Sequence, residues 1–199
     1  MSGHEPGGRP PAPGPLRQVQ AFVNTFDREG RLDALHSAAE LHGWLAAEQL
    51  IKPGAEVGLA ALRQAAAIRE GMRVLAGVNN GVPLDATAMA QMDATIRELG
   101  ITVSVAGGGR LRLTAPSSFG QAMADLVDIV RTAMDDGRWA RMKACQRDIC
   151  QWVFYDSSRN HSSHWCTMDI CGNRVKSTNF YHRAKRRRTE EPTALSTTT

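Results

Sequence analysis

Two pairs of cysteines constrain this chain more than any other feature. Cys145 and Cys150 form one C-x4-C pair and Cys166 and Cys171 a second, with fifteen residues between the pairs and no other cysteine in the 199 residues. Two short loops that each present two thiols are what a tetrahedral zinc site needs: four soft donors and no open position. Four unrelated buried thiols would have no reason to fall into this symmetry. A segment of roughly 45 residues is also too small to be held by core burial alone. Bound zinc supplies the missing folding energy, on the order of 10–16 kcal/mol in small zinc peptides at neutral pH. Trp152, Val153, Phe154 and Trp165 would form a small apolar core around the ion. His161 and His164 are the alternative donors, although the thiolates have precedence in a site that offers four of them.

Charge points the same way. Residues 141–188 carry eleven Lys and Arg against three Asp and Glu, whereas residues 1–140 carry thirteen against fifteen. A near-neutral body thus precedes a strongly basic segment, the pattern of a polyanion-binding module joined to something else. After Cys171 come Arg174, Lys176, Arg183, Lys185, Arg186, Arg187 and Arg188, with no acid among them. A helix over about 172–187 would set Arg174, Thr178, Tyr181, Lys185 and Arg188 along one face. Such a helix can read base edges in the major groove while its cations neutralise phosphates. A charge run is more often a solvated face. It is the attachment of this one to a zinc module that favours nucleic acid.

Upstream, the chain divides into periodic segments. Residues 1–16, with five prolines, read as a disordered leader. A short helix is expected over 19–26. Ser37 and Glu40 make a capping box for a helix to about residue 50, with Leu41, Trp44, Leu45 and Leu50 inward. The longest helix should run over 56–78, burying Leu59, Leu62, Ala66, Ile68, Met72 and Leu75. Asp85 caps a helix over 86–99 with Met89, Met92, Ile96 and Leu99 on one side. Ile101, Val103 and Val105, then Leu111 and Leu113, alternate with polar residues about Gly107-Gly108-Gly109, which reads as a β-hairpin. Ser117 or Ser118 opens a last helix to about Asp135, with Met123, Leu126, Val127, Val130 and Met134 inward. The fold class is therefore α+β: a mostly helical N-terminal domain with one hairpin over 17–137, a small four-cysteine zinc finger over 141–188 ending in a basic helix, and a disordered tail over 189–199.

The segment Phe154-Tyr155-Asp156-Ser157-Ser158-Arg159-Asn160, then Trp165-Cys166-Thr167-Met168, then Cys171-Gly172-Asn173-Arg174 with Lys176, resembles the CGNR zinc finger. In that family the finger follows an N-terminal domain called ABATE. Phe22-Val23-Asn24-Thr25, Leu32-Asp33 with Leu35, Trp44-Leu45 and Leu62-Arg63 are similar to that domain. The resemblance implies a stress-induced bacterial transcription regulator. It implies Cys145, Cys150, Cys166 and Cys171 as zinc ligands and Arg174 and Lys176 as signature cations. The chain departs from the family at His161-Ser162-Ser163-His164, where arginines are usual before the Trp-Cys pair.

The function expected is thus a zinc-dependent regulator that binds duplex DNA, its N-terminal domain regulatory, dimerising as a homodimer, or responsive to a small-molecule effector. The alternatives are an RNA-binding module and a protein-interaction adaptor whose finger is purely structural. No enzyme is expected. A closed four-thiolate site leaves no position for water, and no nucleophile–base pair is visible: His36 and His42 are six residues apart, and Gly107–Gly109 lacks the Lys-Ser/Thr of a phosphate loop. Asn24 reads equally as a polar cap or a pocket residue. With no apolar run of membrane-spanning length and no secretory signal at the start, the expected compartment is the cytoplasm, at the nucleoid, where thiols stay reduced.

Overall fold

Three helix starts are decided by the caps written in the sequence. The computed structural model describes residues 8–106, 108–174 and 177. In it the Ser37 hydroxyl accepts the Glu40 N–H at 3.3 Å and opens α2 (Ala38–Ala47). Asp85 accepts from the N–H groups of Thr87 and Ala88 at 2.9 and 3.1 Å and opens α4 (Ala86–Glu98). Ser117 accepts from Gly120 at 3.0 Å and opens α5 (Ser118–Asp135). Each cap satisfies an N–H that the helix leaves without a partner, at about 1 kcal/mol apiece. Before and between these elements lie α1 (Leu16–Val23), the two-residue strands β1 (Phe26–Asp27) and β2 (Leu32–Asp33), and α3 (Leu59–Val78). The hairpin β3 (Thr102–Ala106) and β4 (Arg110–Thr114) pairs Val103 with Leu113 and Val105 with Leu111. The chain then enters β5 (Met142–Ala144) and β6 (Val153–Tyr155), an antiparallel pair. The fold is α+β, as expected from the alternation of helical and strand periods.

Helix α3 is the spine. Its Ala61, Ala65, Ile68, Met72 and Ala76 are buried against Leu16, Val19 and Phe22 of α1 and Met123, Leu126 and Val130 of α5. Helix α4 lies so close to α3 that a Cβ on Gly71 would sit 2.8 Å from the Met92 Cβ. The helices extend beyond the core they cover. Leu59, in the first turn of α3, and Met134, in the last turn of α5, are exposed instead of inward. Val103, Val105 and Leu111 are also exposed, so the β3–β4 hairpin presents an apolar face outward.

Two expectations change. The first helix begins three residues earlier than its apolar run, at Leu16 after Pro15. It ends at Val23, because the chain turns at Asn24 into β1. Within the expected leader, residues 9–12 make specific contacts. Ala12 is buried and its N–H donates to Gln20 Oε1 at 2.6 Å. Arg9 reaches across to donate to the carbonyls of Cys166 (2.6 Å) and Trp165 (3.1 Å), its guanidinium 4.8 Å from the Phe154 ring. Composition marked residues 9–12 as structureless; long-range hydrogen bonds, which composition does not encode, hold them. None of the helices among the described residues is long and apolar enough to cross a membrane.

Candidate metal centre

The β5–β6 hairpin makes the first cysteine loop. Cys145 directly follows β5, and its N–H continues the ladder to the Trp152 carbonyl at 2.9 Å. The chain reverses through residues 146–149, and the N–H of Cys150 closes on the Arg147 carbonyl at 2.8 Å. Strand alternation then splits the cores. Val153 points into the main core, whereas Phe154 packs against the cysteines with Trp152 and Trp165. The sequence placed Val153 with the metal; the two-residue period puts it on the opposite face.

The second pair is built differently. Cys166 precedes Thr167, whose hydroxyl accepts the Ile170 N–H at 3.2 Å and caps a helical turn, Met168–Gly172. Cys171 sits on that turn, which begins four residues before Gly172; of the basic helix expected over 172–187, only residues 172–174 and 177 are among the described residues. Gly172 lies in close contact: a Cβ there would be 3.1 Å from Trp165 Cδ1 and would displace the Met168 side chain. Asn173 donates to the Asp169 carbonyl at 3.3 Å, a bond within the helix and not toward a ligand.

All four Sγ atoms lie within 4.8 Å of one another and all four residues are buried. Cys150 and Cys166 are 3.7 Å apart at sulfur, Cys166 and Cys171 3.5 Å. A tetrahedron with zinc–sulfur distances of about 2.3 Å has edges of about 3.8 Å, so the donor set fits zinc. None of the four forms a disulfide. Without a cation the thiols compete for charge. Cys145 accepts hydrogen bonds from Cys150 and Cys166 and is driven down to about 2. Cys150 is pushed up to about 12 by its bond to Cys145, and Cys166 is raised by Cys145 and Cys150 together. Binding a divalent ion at this set requires all four to be thiolates and so releases protons. His164 is not in the cluster: its Nδ1 lies 2.9 Å from Asn80 Oδ1. His161 is exposed, at a φ of 49°.

The loop between the pairs is held by a buried ion pair. Lys143 Nζ donates to Asp156 Oδ2 (2.8 Å) and to the carbonyls of His161 (2.6 Å) and Ser163 (3.2 Å). Asp156 also accepts from the Ser158 N–H and hydroxyl and from the Ser163 N–H. Burial alone would raise its pKa, but these bonds, Lys143 foremost, hold the carboxyl well below the usual carboxylate range.

Polar side chains of the helical part grip the backbone of this unit. Asn80 Nδ2, beyond the end of α3, donates to the carbonyls of Ala144 (2.8 Å) and His164 (2.9 Å), one beside each cysteine pair. Asn79 donates to Trp139 (2.7 Å) and Met142 (2.9 Å). Asn24 accepts from and donates to the Val153 backbone at 2.9 and 2.8 Å, as a paired strand would. The guanidinium of Arg73, only 2% exposed, joins the carbonyls of Val23 (2.7 Å), Phe26 (3.1 Å) and Gln151 (2.9 Å). A cavity of about 380 Å³ lies between α3, α4 and the first loop, with Arg73, Gly77, Val82, Cys145, Gln146 and Gln151 in its walls.

Of the cations expected to meet nucleic acid, only Arg174 is described. It is 57% exposed at the side chain and pairs with Glu29 at 2.7 Å. Lys176, Arg183, Lys185, Arg186, Arg187 and Arg188 lie outside the described residues. Sequence reasoning missed Glu29, Arg73, Asn79, Asn80 and Arg147. No periodic signal marks a polar side chain that bonds to distant backbone.

Against known families, the CGNR zinc finger model matches residues 141–184. The ABATE model, described as "Putative stress-induced transcription regulator", matches residues 16–135. No curated protein matches the chain.

Proposed function

Since the chain belongs to the ABATE family and carries a CGNR zinc finger, we propose that it regulates transcription by binding duplex DNA through that finger. Cys145, Cys150, Cys166 and Cys171 are the ligands of a structural zinc in this reading, and the cations from Arg174 to Arg188 make the contact. The observation that carries it is the position of Arg174. It stands three residues beyond Cys171, just past the helical turn Met168–Gly172 that carries this cysteine, and it opens a run of seven cations without an acid. In this reading zinc fixes the turn from which the basic segment starts. Arginine along such a segment suits guanine edges and phosphates together.

The helical part regulates the finger in this proposal. Asn24, Arg73, Asn79 and Asn80 grip the finger's backbone, and the cavity shares Cys145 and Gln146 with the first loop. A small effector in that cavity would therefore bear on the finger directly. A homodimer would raise affinity by linking two contacts; light scattering on the eluted protein tests it.

The test of the reading is fluorescence anisotropy with labelled duplex DNA over a salt series. Neutralising four to seven phosphates predicts a slope of log K against log salt of about −4 to −6. Loss of binding on zinc chelation is expected with it. A flat salt response, or unchanged binding after chelation, overturns the proposal. Tighter binding to RNA of equal length transfers the same surface to the RNA-binding alternative.

A further inference from the structure

Where the basic segment begins, two arginines already hold an anion. Glu29 lies on the turn between β1 and β2, far from the finger in sequence. Its Oε1 accepts from Arg174 Nη1 at 2.7 Å and its Oε2 from Arg147 Nη1 at 2.7 Å. One guanidinium on each of two geminal oxygens is also how arginines hold the two free oxygens of a phosphodiester. Arg147 is anchored from behind: the same Nη1 lies 3.9 Å from Cys171 Sγ, and its side chain is only 14% exposed. Its position is thus tied to the sulfur cluster, while Arg174 faces solvent.

We propose that Arg147 and Arg174 form a phosphate subsite of the DNA interface, and that Glu29 closes it by occupying the place of the phosphate. This rests on the DNA-binding reading above and adds a control to it. The carboxylate and a DNA phosphate cannot share the pair, so the finger makes this contact only when the β1–β2 turn gives way. The turn itself can yield, while Arg69 on Asp33 and Arg73 on the Phe26 carbonyl hold its flanks. Its strands are two residues each, and Arg31 takes a left-handed φ of 53°, a conformation that residues with a Cβ adopt at a cost. The turn is part of the N-terminal half, so whatever shifts that half sets the charge the finger shows to DNA. Arg28 on the same turn bonds the Gln151 side chain and pairs with Glu70 of α3 at 3.9 Å, which connects the turn to the walls of the cavity.

The experiment compares full-length wild type, Glu29→Gln, Glu29→Ala and Glu29→Asp by anisotropy on one labelled non-specific duplex across a salt series. Zinc content and melting temperature are measured on every protein. One additional phosphate contact steepens the salt slope by about 0.9 and tightens binding about 8-fold at ~0.1 M salt, a gain that shrinks toward ~1 M. Glu29→Gln and Glu29→Ala should show that gain. Glu29→Asp, which keeps the charge with a shorter reach, should fall between them and wild type. Adding Arg174→Gln to Glu29→Gln should abolish it. Salt-dependent wild-type binding with equal or weaker binding by Glu29→Gln overturns the subsite and leaves the regulator reading standing. Absence of binding by every protein removes both.

Discussion

Replacing Asn80 isolates the grip that the helical part has on the metal unit. The side chain is 3% exposed, and both its N–H groups and its oxygen have partners. Nδ2 donates to Ala144 and His164 at 2.8 and 2.9 Å, and Oδ1 faces His164 Nδ1 at 2.9 Å. Asn80→Ala removes three hydrogen bonds, each worth about 1 kcal/mol net, and leaves the Ala144 carbonyl short of a partner in a buried place. The His164 carbonyl keeps the Gln146 N–H at 3.1 Å, which limits the loss. The expected cost is about 2 to 3 kcal/mol, or roughly 4 to 12 °C in melting temperature for a chain of this size. Asn80→Asp should cost more at neutral pH, because it sets a carboxylate against two carbonyls. Desolvation and the two facing carbonyls raise the pKa of such an acid, with only His164 Nδ1 to oppose them. The deficit relative to Asn80→Ala should therefore shrink as pH falls and the carboxyl takes up a proton. Urea unfolding followed by tryptophan fluorescence measures stability, and a chromogenic chelator measures the rate of zinc loss. Because the two carbonyls flank Cys145 and Cys166, zinc loss should accelerate in both variants. If Asn80→Ala changes stability by less than about 0.5 kcal/mol, as an ordinary surface substitution does, the reasoning about the joint is wrong.

Other perturbations follow from the same geometry. Breaking the buried Lys143–Asp156 pair by Asp156→Asn leaves the ammonium without its charge partner and should cost about 3 to 5 kcal/mol in urea unfolding. In the wild type the folded pKa of Asp156 is depressed, so its contribution is complete above the unfolded value of about 4 and is lost as pH falls below it; an acid titration of stability should lack this component in Asp156→Asn. Gly71→Ala would gain about 1 kcal/mol of helix propensity but drives a Cβ to 2.8 Å from Met92 Cβ. A net loss of about 1 to 2 kcal/mol is expected from overpacking, and thermal melting measures it. Removing residues 1–10 deletes Arg9 and its bonds to the Cys166 and Trp165 carbonyls, which should hasten zinc release in the chelator assay with little change in helical circular dichroism.

How much of this was legible follows from which forces leave a pattern. The cap at Ser37, Asp85 or Ser117 is a local event between residues three apart, so the starts of α2, α4 and α5 could be read directly. The β3–β4 hairpin was legible from alternation, but not that Val103, Val105 and Leu111 face solvent, since periodicity marks a face without saying what covers it. The cysteine spacing announced the metal cluster. It could not announce that the first pair closes a hairpin and the second spans a capped helical turn. Least legible was the joint. Asn24 reads from the sequence as a cap or a pocket residue; it is the C-cap of α1, but its side chain pairs with the Val153 backbone 129 residues away. Arg73 and Asn80 likewise act on distant carbonyls, and only the fold brings those within reach.

One divalent ion, held by four sulfurs, organises the finger in this reading. Metal analysis of the purified, reduced protein, paired with thiol titration before and after chelation, tests it most directly. One zinc per chain is expected, with four thiols that react only once the metal is withdrawn. A folded protein without stoichiometric zinc, its four thiols titrating freely, would contradict it.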